Sequence, residues 1–246
     1  MSIHLDTLLA SLMTTALPEA KLTSPLTNTL QEVRTVGVNL HSLLAEGENT
    51  ILAIHAAHKH AAHAATAFTM MLLNLLCPSF APHTVCLVQE HRDQVTAYLL
   101  ASTVDASLHD FSKTVSDLIA HNRDHMDLTL ATLQRQISDE VGCLESKKDA
   151  MDSNGRGTRS ITRPPMAAVV EAETLLTAVS DGRSRALALH WAIEERLVEL
   201  DAVVVGSSSA LHGRGWSGLT MPEKVQYVVH IVDVILGHLE AVRRLV

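Results

Sequence analysis

The chain has 246 residues, of which 47% are hydrophobic but only 3% are aromatic. Such a composition favours aliphatic side chains packed between helices over a sheet sandwich. The formal net charge of −8 argues against a general nucleic-acid binder, which needs a basic face. Three cysteines without zinc or CxxC spacing, and a start without a secretory signal, predict a reducing, cytoplasmic location.

The N-terminal segment, residues 1–24, is predicted to contain a short amphipathic helix over residues 3–16. Its apolar side chains recur at the spacing of one helical face. They are Leu5, Leu8, Leu9, Leu12, Met13 and Ala16. Pro18 and Pro25 separate this segment from the helix that follows.

A heptad stripe then runs without a break over residues 26–75. Its positions are Leu26, Leu30, Val33, Gly37, Leu40, Leu44, Gly47, Ile51, Ile54, His58, Ala61, Ala65, Phe68, Leu72 and Leu75. Only a long helix wound against neighbouring helices needs this period of 3.5 residues. No proline lies between Pro25 and Pro78, so the pattern predicts one helix over residues 26–77, roughly 75 Å long.

A second long helix is predicted over residues 83–151. Its stripe runs through Ala101, Val104, Leu108, Phe111, Val115, Leu118, Asn122 and His125, and it resumes at Leu130, Leu133, Ile137, Val141 and Leu144. The change of register between residues 125 and 130 disturbs the supercoil locally. We therefore expect a bend or a change of packing partner there. Residues 152–165, rich in Gly, Ser, Arg and Pro, form a loop by composition.

The last third of the chain is predicted to hold two helices separated by a flexible loop. The helices cover residues 165–205 and 222–246, and the loop covers residues 206–220, which hold four of the eleven glycines. Within the loop, Gly213, Gly215 and Gly218 match the dinucleotide-binding pattern GxGxxG, but no strand is predicted before them. The two helices together are about as long as the second long helix. We expect them to form one interrupted arm antiparallel to it.

The stretch 60–89 contains no Asp, Glu, Lys or Arg. Its densest part is apolar on every helical face, yet Pro78 ends it before the about 20 residues that a membrane span requires. Burial by the protein's own bundle and by a second subunit is the preferred interpretation. A membrane span and a loosely packed surface for another partner remain alternatives. The residues expected at a homodimer interface are Phe68, Met71, Leu72, Leu75 and Leu76.

Four histidines are clustered in the first long helix, at His55, His58, His60 and His63. Two pairs are three residues apart, a spacing that suits a metal ion, but no carboxylate or cysteine accompanies them locally. We therefore interpret them as polar-face and boundary residues. No HExxH, P-loop or GxSxG motif occurs in the sequence. The sequence predicts no catalytic site, no metal site and no cofactor, hence no enzyme.

Five basic residues are concentrated around the predicted turn between the second and third helices. They are Lys147, Lys148, Arg156, Arg159 and Arg163. Together with two acidic residues they give this stretch a net charge of +3 in an acidic chain. One interpretation is an ordinary solvated loop. The other is contact with anionic lipid headgroups, worth about 1 kcal/mol per basic residue near the surface.

An amphipathic start, three very long helices and a basic turn between the second and third resemble the BAR-domain superfamily. The resemblance implies an all-α fold, an elongated antiparallel coiled coil of three long helices, here with the third interrupted at residues 206–220. It also implies a crescent-shaped homodimer with the end of the first helix at its centre. The five basic residues would then form the membrane-touching tip, and residues 3–16 a wedge helix that some members insert.

On this resemblance, we expect a peripheral membrane protein, with residues 1–246 as a single elongated domain. It would bind or shape anionic membranes during trafficking such as endocytosis, with bivalent contact strengthening the attachment. The alternative is a helical-bundle scaffold or tether that binds protein partners without touching lipid. A third hypothesis is a pore-forming protein that rearranges to expose residues 60–80.

Overall fold

The computed structural model describes residues 22–75, 82–153 and 166–245. They form five helices: α1 (Thr23–Leu75), α2 (Pro82–Ser153), α3 (Met166–Leu211), α4 (Arg214–Gly218) and α5 (Met221–Arg243). No strand occurs in these residues, and the helices pack against one another. The prediction of an all-α protein is confirmed. Residues 1–21, with the predicted helix 3–16, lie outside the described residues.

The long helices begin close to their predicted limits, each with a proline in its first turn or directly before it. Pro82 occupies the first position of α2, and Pro25 lies in the first turn of α1. Proline is tolerated there because the N–H groups of the first turn have no acceptor within the helix. α5 starts with a reciprocal cap, in which the backbone N–H of Thr220 donates to Glu223 at 2.7 Å.

The described residues divide into two compact units, to both of which α1, α2 and α3 contribute. Unit 1 contains residues 22–39, 120–153 and 166–194, and unit 2 contains residues 40–75, 82–119 and 195–245. Along α2, the boundary at Ile119 and Ala120 lies a few residues before the predicted change of register. The single domain over residues 1–246 stays a prediction.

Unit 1 has an aliphatic core built by α1, α2 and α3. One cluster contains Leu22, Leu26, Leu30, Leu133, Ile137, Leu176 and Val179, and a second contains Met126, Leu130 and Ala186. His125 was predicted to lie on the buried stripe of α2, but it is exposed. The neighbouring Met126 is buried and takes its place in the stripe. Along α2 the stripe therefore steps by four residues from Asn122 to Met126 and again to Leu130. This is the local form that the predicted register change takes.

In unit 2, α5 turns back and packs against α1 and α2. It does not continue α3 in the same direction. A Cβ added at Gly47 of α1 would lie 2.7 Å from a methyl group of Leu239 and 3.2 Å from Cζ of Phe111. The prediction that the last two helices form one arm along α2 is therefore wrong. Ser112 of α2 donates a hydrogen bond to Asp201 of α3, which shows how these antiparallel helices align. If α5 continued in the direction of α3, Leu239 would lie beyond Pro82, the first residue of α2. The returning path instead buries one whole face of α5.

The prediction of a flexible loop over residues 206–220 is largely wrong. α3 continues through Gly206 to Leu211, and α4 occupies Arg214–Gly218. Leu211 and Trp216 are only 2% and 9% exposed, and their burial outweighs the roughly 1 kcal/mol that a helical glycine costs. Trp216 meets the ring of Tyr227 edge-on, with centroids 6.1 Å apart. A helix precedes the GxGxxG pattern, so it lacks the strand that a dinucleotide site requires.

Candidate functional site

The α2–α3 hairpin of unit 1 extends past the start of α1. Leu22, which precedes α1, packs in the same cluster as Ile137 and Leu176, whereas α2 continues to Ser153 and α3 starts at Met166. We call residues 137–153 and 166–181 the hairpin end. The connecting residues 154–165 lie outside the described residues.

Two of the five predicted lipid-binding residues lie at the hairpin end. Lys147 and Lys148 are both exposed near the end of α2. The ammonium group of Lys148 donates to Oε1 of Glu173 on α3, an exposed ion pair that contributes at most about 1 kcal/mol. Arg156, Arg159 and Arg163 lie outside the described residues. The sequence alone does not reveal Glu173, because its pairing with Lys148 depends on how the two helices align.

A groove of about 520 Å³ lies beside Lys148, between α2 and α3. Its apolar lining comes from Ile137, Val141, Leu144 and Leu176. Its charged lining residues are Glu145, Lys148, Glu173 and Asp181, which are net acidic. Val141 is 38% exposed although it continues the apolar stripe of α2. The stripe extends here beyond the level at which α1 begins.

A buried polar group in unit 1 was not predicted. The side chain of His190 has no solvent exposure, and its Nε2 lies 3.0 Å from Oδ1 of Asp127 and 3.9 Å from Oε2 of Glu194. Glu194 in turn accepts a hydrogen bond of 2.9 Å from Nε of Arg123. That bond and the charge of Glu194 raise the pKa of Arg123 above its ordinary value. The signal in the sequence was weak, since His190 is one position past the predicted inner face at Leu189.

Asn122 belongs to the same interface as His190. It is 1% exposed, and neither its amide nitrogen nor its oxygen has a hydrogen-bond partner among the described residues. Met126 and Ala186 share a core cluster, and Asn122 and His190 lie one helical turn from them on α2 and α3. The two polar residues therefore form the next layer of that interface. Such a layer costs stability and can fix the register of packed helices.

In unit 2, Asp105 links α2 to the end of α3. The hydroxyl of Ser208 donates to its Oδ1, and Nε2 of His212 lies 3.0 Å from its Oδ2. The Ser208 hydrogen bond, followed by that of His212, holds the pKa of Asp105 below its ordinary value. Ser208 thus bonds the carboxylate and not the imidazole, whereas in a Ser-His-Asp triad the serine hydroxyl bonds the histidine. The arrangement is a structural clamp on the last turn of α3.

The remaining predicted features are only partly described. Leu76 and the side chains of Phe68, Met71, Leu72 and Leu75 lie outside the described part, so the dimer interface stays a prediction. Of the clustered histidines, His58 is half-buried and the other three are exposed. No group of three metal-ligating side chains occurs within the part of the chain that the structure describes.

By length and composition, α5 is the one described helix that could cross a membrane. Its buried side chains are Val228, Ile231, Val232, Ile235, Leu239 and Val242. The core helix of a folded unit satisfies the same criterion, so this is weak evidence for a membrane span.

The hairpin end is thus the place where exposed basic side chains, an apolar groove and a net acidic groove lining occur together. Such a place can bind a partner by charge or by apolar contact. No family model, curated protein or solved structure matches the chain.

Proposed function

We propose that this protein binds anionic membrane surfaces through the loop side of the hairpin end, acting as a homodimer. The observation that supports the proposal is the placement of charge. Lys147 and Lys148 lie exposed where α2 approaches its end, and the connecting residues 154–165 add three arginines and no acidic residue. Each basic residue near a lipid surface contributes about 1 kcal/mol.

The contact is confined to the tip. Lys148 shares its charge with Glu173, and the net acidic lining of the groove repels anionic headgroups from the side of the hairpin. Binding therefore depends mainly on Lys147 and the three arginines, and it weakens as salt screens the interaction. The Debye length shrinks from about 10 Å at 0.1 M to about 3 Å at 1 M salt.

The proposed architecture is an elongated coiled coil of α1, α2 and α3, similar to a BAR domain, with α5 as an added fourth helix. Helix lengths of 53, 72 and 46 residues support it, since 72 residues of straight helix span about 110 Å. X-ray scattering should give a maximum dimension of that order. A maximum dimension typical of a compact 26.6 kDa protein would contradict the coiled-coil proposal.

Liposome co-sedimentation tests the membrane proposal. The wild type should bind vesicles containing phosphatidylserine at low salt and lose binding at high salt. Alanine at all five basic residues, Lys147, Lys148, Arg156, Arg159 and Arg163, should reduce binding by orders of magnitude, because several contributions of about 1 kcal/mol disappear together.

A variant with the same change of net charge provides the control. Alanine at five exposed basic residues elsewhere, Lys113, Arg135, Arg185, Arg214 and Arg244, should leave most of the binding intact. Equal losses in the two variants would show that net charge alone matters and would refute the tip. Failure of the wild-type protein to co-sediment with any anionic vesicle would refute the membrane-binding proposal.

An exposed apolar ridge on α2 in unit 2 favours a second candidate, a scaffold that binds a protein partner. Val95, Tyr98 and Leu99 are 45%, 73% and 57% exposed and lie on one helical face. Tyrosine is enriched in protein interfaces and among the residues that contribute most to binding. Replacing Tyr98 and Leu99 by Ala should abolish capture of a specific partner while leaving liposome binding unchanged.

A further inference from the structure

The groove at the hairpin end lies along the continuation of α1. Leu22 packs against the cluster that contains Ile137 and Leu176, and both of these residues also line the groove. From Ile137 to Lys148 the groove follows eleven residues of α2, or roughly 16 Å. The chain before Leu22 therefore enters the described structure at the inner end of the groove.

The chemistry of the groove suits an amphipathic helix. Its apolar floor continues the stripe by which α2 binds α1, so a further helical face packs there as α1 does. Its charged residues, three carboxylates and one lysine, disfavour an anionic lipid or a nucleic acid at this position. The expected occupant is an apolar helical segment without strong negative charge.

One segment of this chain has these properties and the right length. Residues 3–16 carry six apolar residues at helical spacing, and Asp6 is the only Asp, Glu, Lys or Arg among them. Fourteen residues of helix span about 21 Å, enough to cover the groove. Five residues, 17–21, connect the segment to Leu22, and the last of them is Lys21, whose charge is opposite to that of the groove lining.

We infer that residues 3–16 dock as a helix in the groove formed by Ile137, Val141, Leu144 and Leu176 of the same chain. Docking adds a third helix to the hairpin end and buries the apolar face that a membrane wedge would need. The inference does not depend on lipid binding, because the groove and the segment belong to one chain.

Hydrogen exchange of the full-length protein, read by mass spectrometry, tests the docking. Amides of residues 3–16 should exchange more slowly, by a factor of about ten or greater, than the same amides in a synthetic peptide of residues 1–21. Val141→Asp, which places a carboxylate on the groove floor, should return the exchange to the rate of the peptide. Leu128→Asp is the matched control, since Leu128 is an exposed apolar residue of α2 outside the groove, and it should leave the protection unchanged.

A second pair of variants acts from the opposite wall. Ser180→Arg on α3 fills the groove with a bulky side chain, whereas Ser184→Arg lies one turn away, exposed and outside the lining. Only the first should release residues 3–16. Equal exchange in wild type and peptide, or equal effects of the groove and control variants, would overturn the inference. Protection that vanishes on dilution would assign the occupant to a second copy and would also overturn it.

Discussion

Gly47 of α1 and Leu239 of α5 touch so closely that no further carbon atom fits between them. A Cβ on Gly47 would lie 2.7 and 2.8 Å from the two methyl groups of Leu239. Both residues are buried in unit 2. The close approach of α5 to α1 therefore depends on the missing side chain of Gly47.

Gly47→Ala should lower the free energy of unfolding. The added methyl forces Leu239 and the fully buried Phe111 to move, at a cost of about 1–3 kcal/mol that exceeds the gain in helix propensity. Gly37→Ala on the same helix meets no atom within 4 Å and should raise the free energy of unfolding by about 0.5–1 kcal/mol. Urea denaturation of both variants checks the prediction. Equal effects would show that α5 does not pack on α1 as described.

Asn122→Leu should stabilise the protein by about 1–3 kcal/mol. The substitution removes two buried polar atoms that have no partner among the described residues and replaces them with apolar atoms of similar volume. Asn49→Leu serves as the control, because Asn49 is exposed on α1 and should change stability by about 0.5 kcal/mol or less. The measurement is the midpoint of thermal unfolding. A lower midpoint for Asn122→Leu would reveal that the amide has a partner, such as an ordered water.

The clamp at Asp105 should make stability depend on acidic pH. Because the pKa of Asp105 is lower in the folded chain than in the unfolded chain, its carboxylate stabilises the fold above the unfolded pKa. This contribution is lost as the pH falls below about 4 and through the folded pKa. The urea midpoint of unfolding should fall less on acidification in Asp105→Asn than in the wild type. Ser208→Ala should show an intermediate fall. Asp110→Asn, at an exposed position of α2, should leave the pH profile unchanged.

Replacing Leu72 and Leu76 together by Asp should convert the proposed homodimer into a monomer or an aggregate. Two carboxylates in an apolar interface cannot be desolvated without a large penalty. Val38→Asp with Leu52→Asp is the control, because both residues are exposed on α1, at 68% and 65%. Sedimentation equilibrium reports the mass. An unchanged dimer in the first variant would place the interface elsewhere on the chain.

The periodic part of the fold could be predicted because helix packing imposes a repeat that the sequence displays. None of the described heptad positions of α1, from Leu26 to Ala61, is exposed. The position of α5 could not be predicted in the same way. A helix that is apolar around much of its circumference satisfies many neighbours equally well, so its pattern does not select α1.

The errors at the other sites have local causes. Gly206 and Gly213 suggested a loop because glycine is a local signal, whereas the burial of Leu211 and Trp216 is a tertiary effect that overrides it. At the hairpin end, the sequence correctly placed the positive charge of Lys148 near the end of α2. It could not show that Glu173, on another helix, neutralises part of that charge.

The return of α5 onto α1 also bears on how the chain is made. Arg243 and Glu48, which pair in unit 2, are 195 residues apart, and contacts across such separations form slowly. At a synthesis rate of about 5–20 residues per second, the apolar surface around Gly47 and Phe111 emerges from the ribosome well before Leu239 exists to cover it. A chain that stops before Met221 would keep that surface uncovered. Nascent and truncated forms of this protein should therefore be clients of chaperones that hold apolar helices.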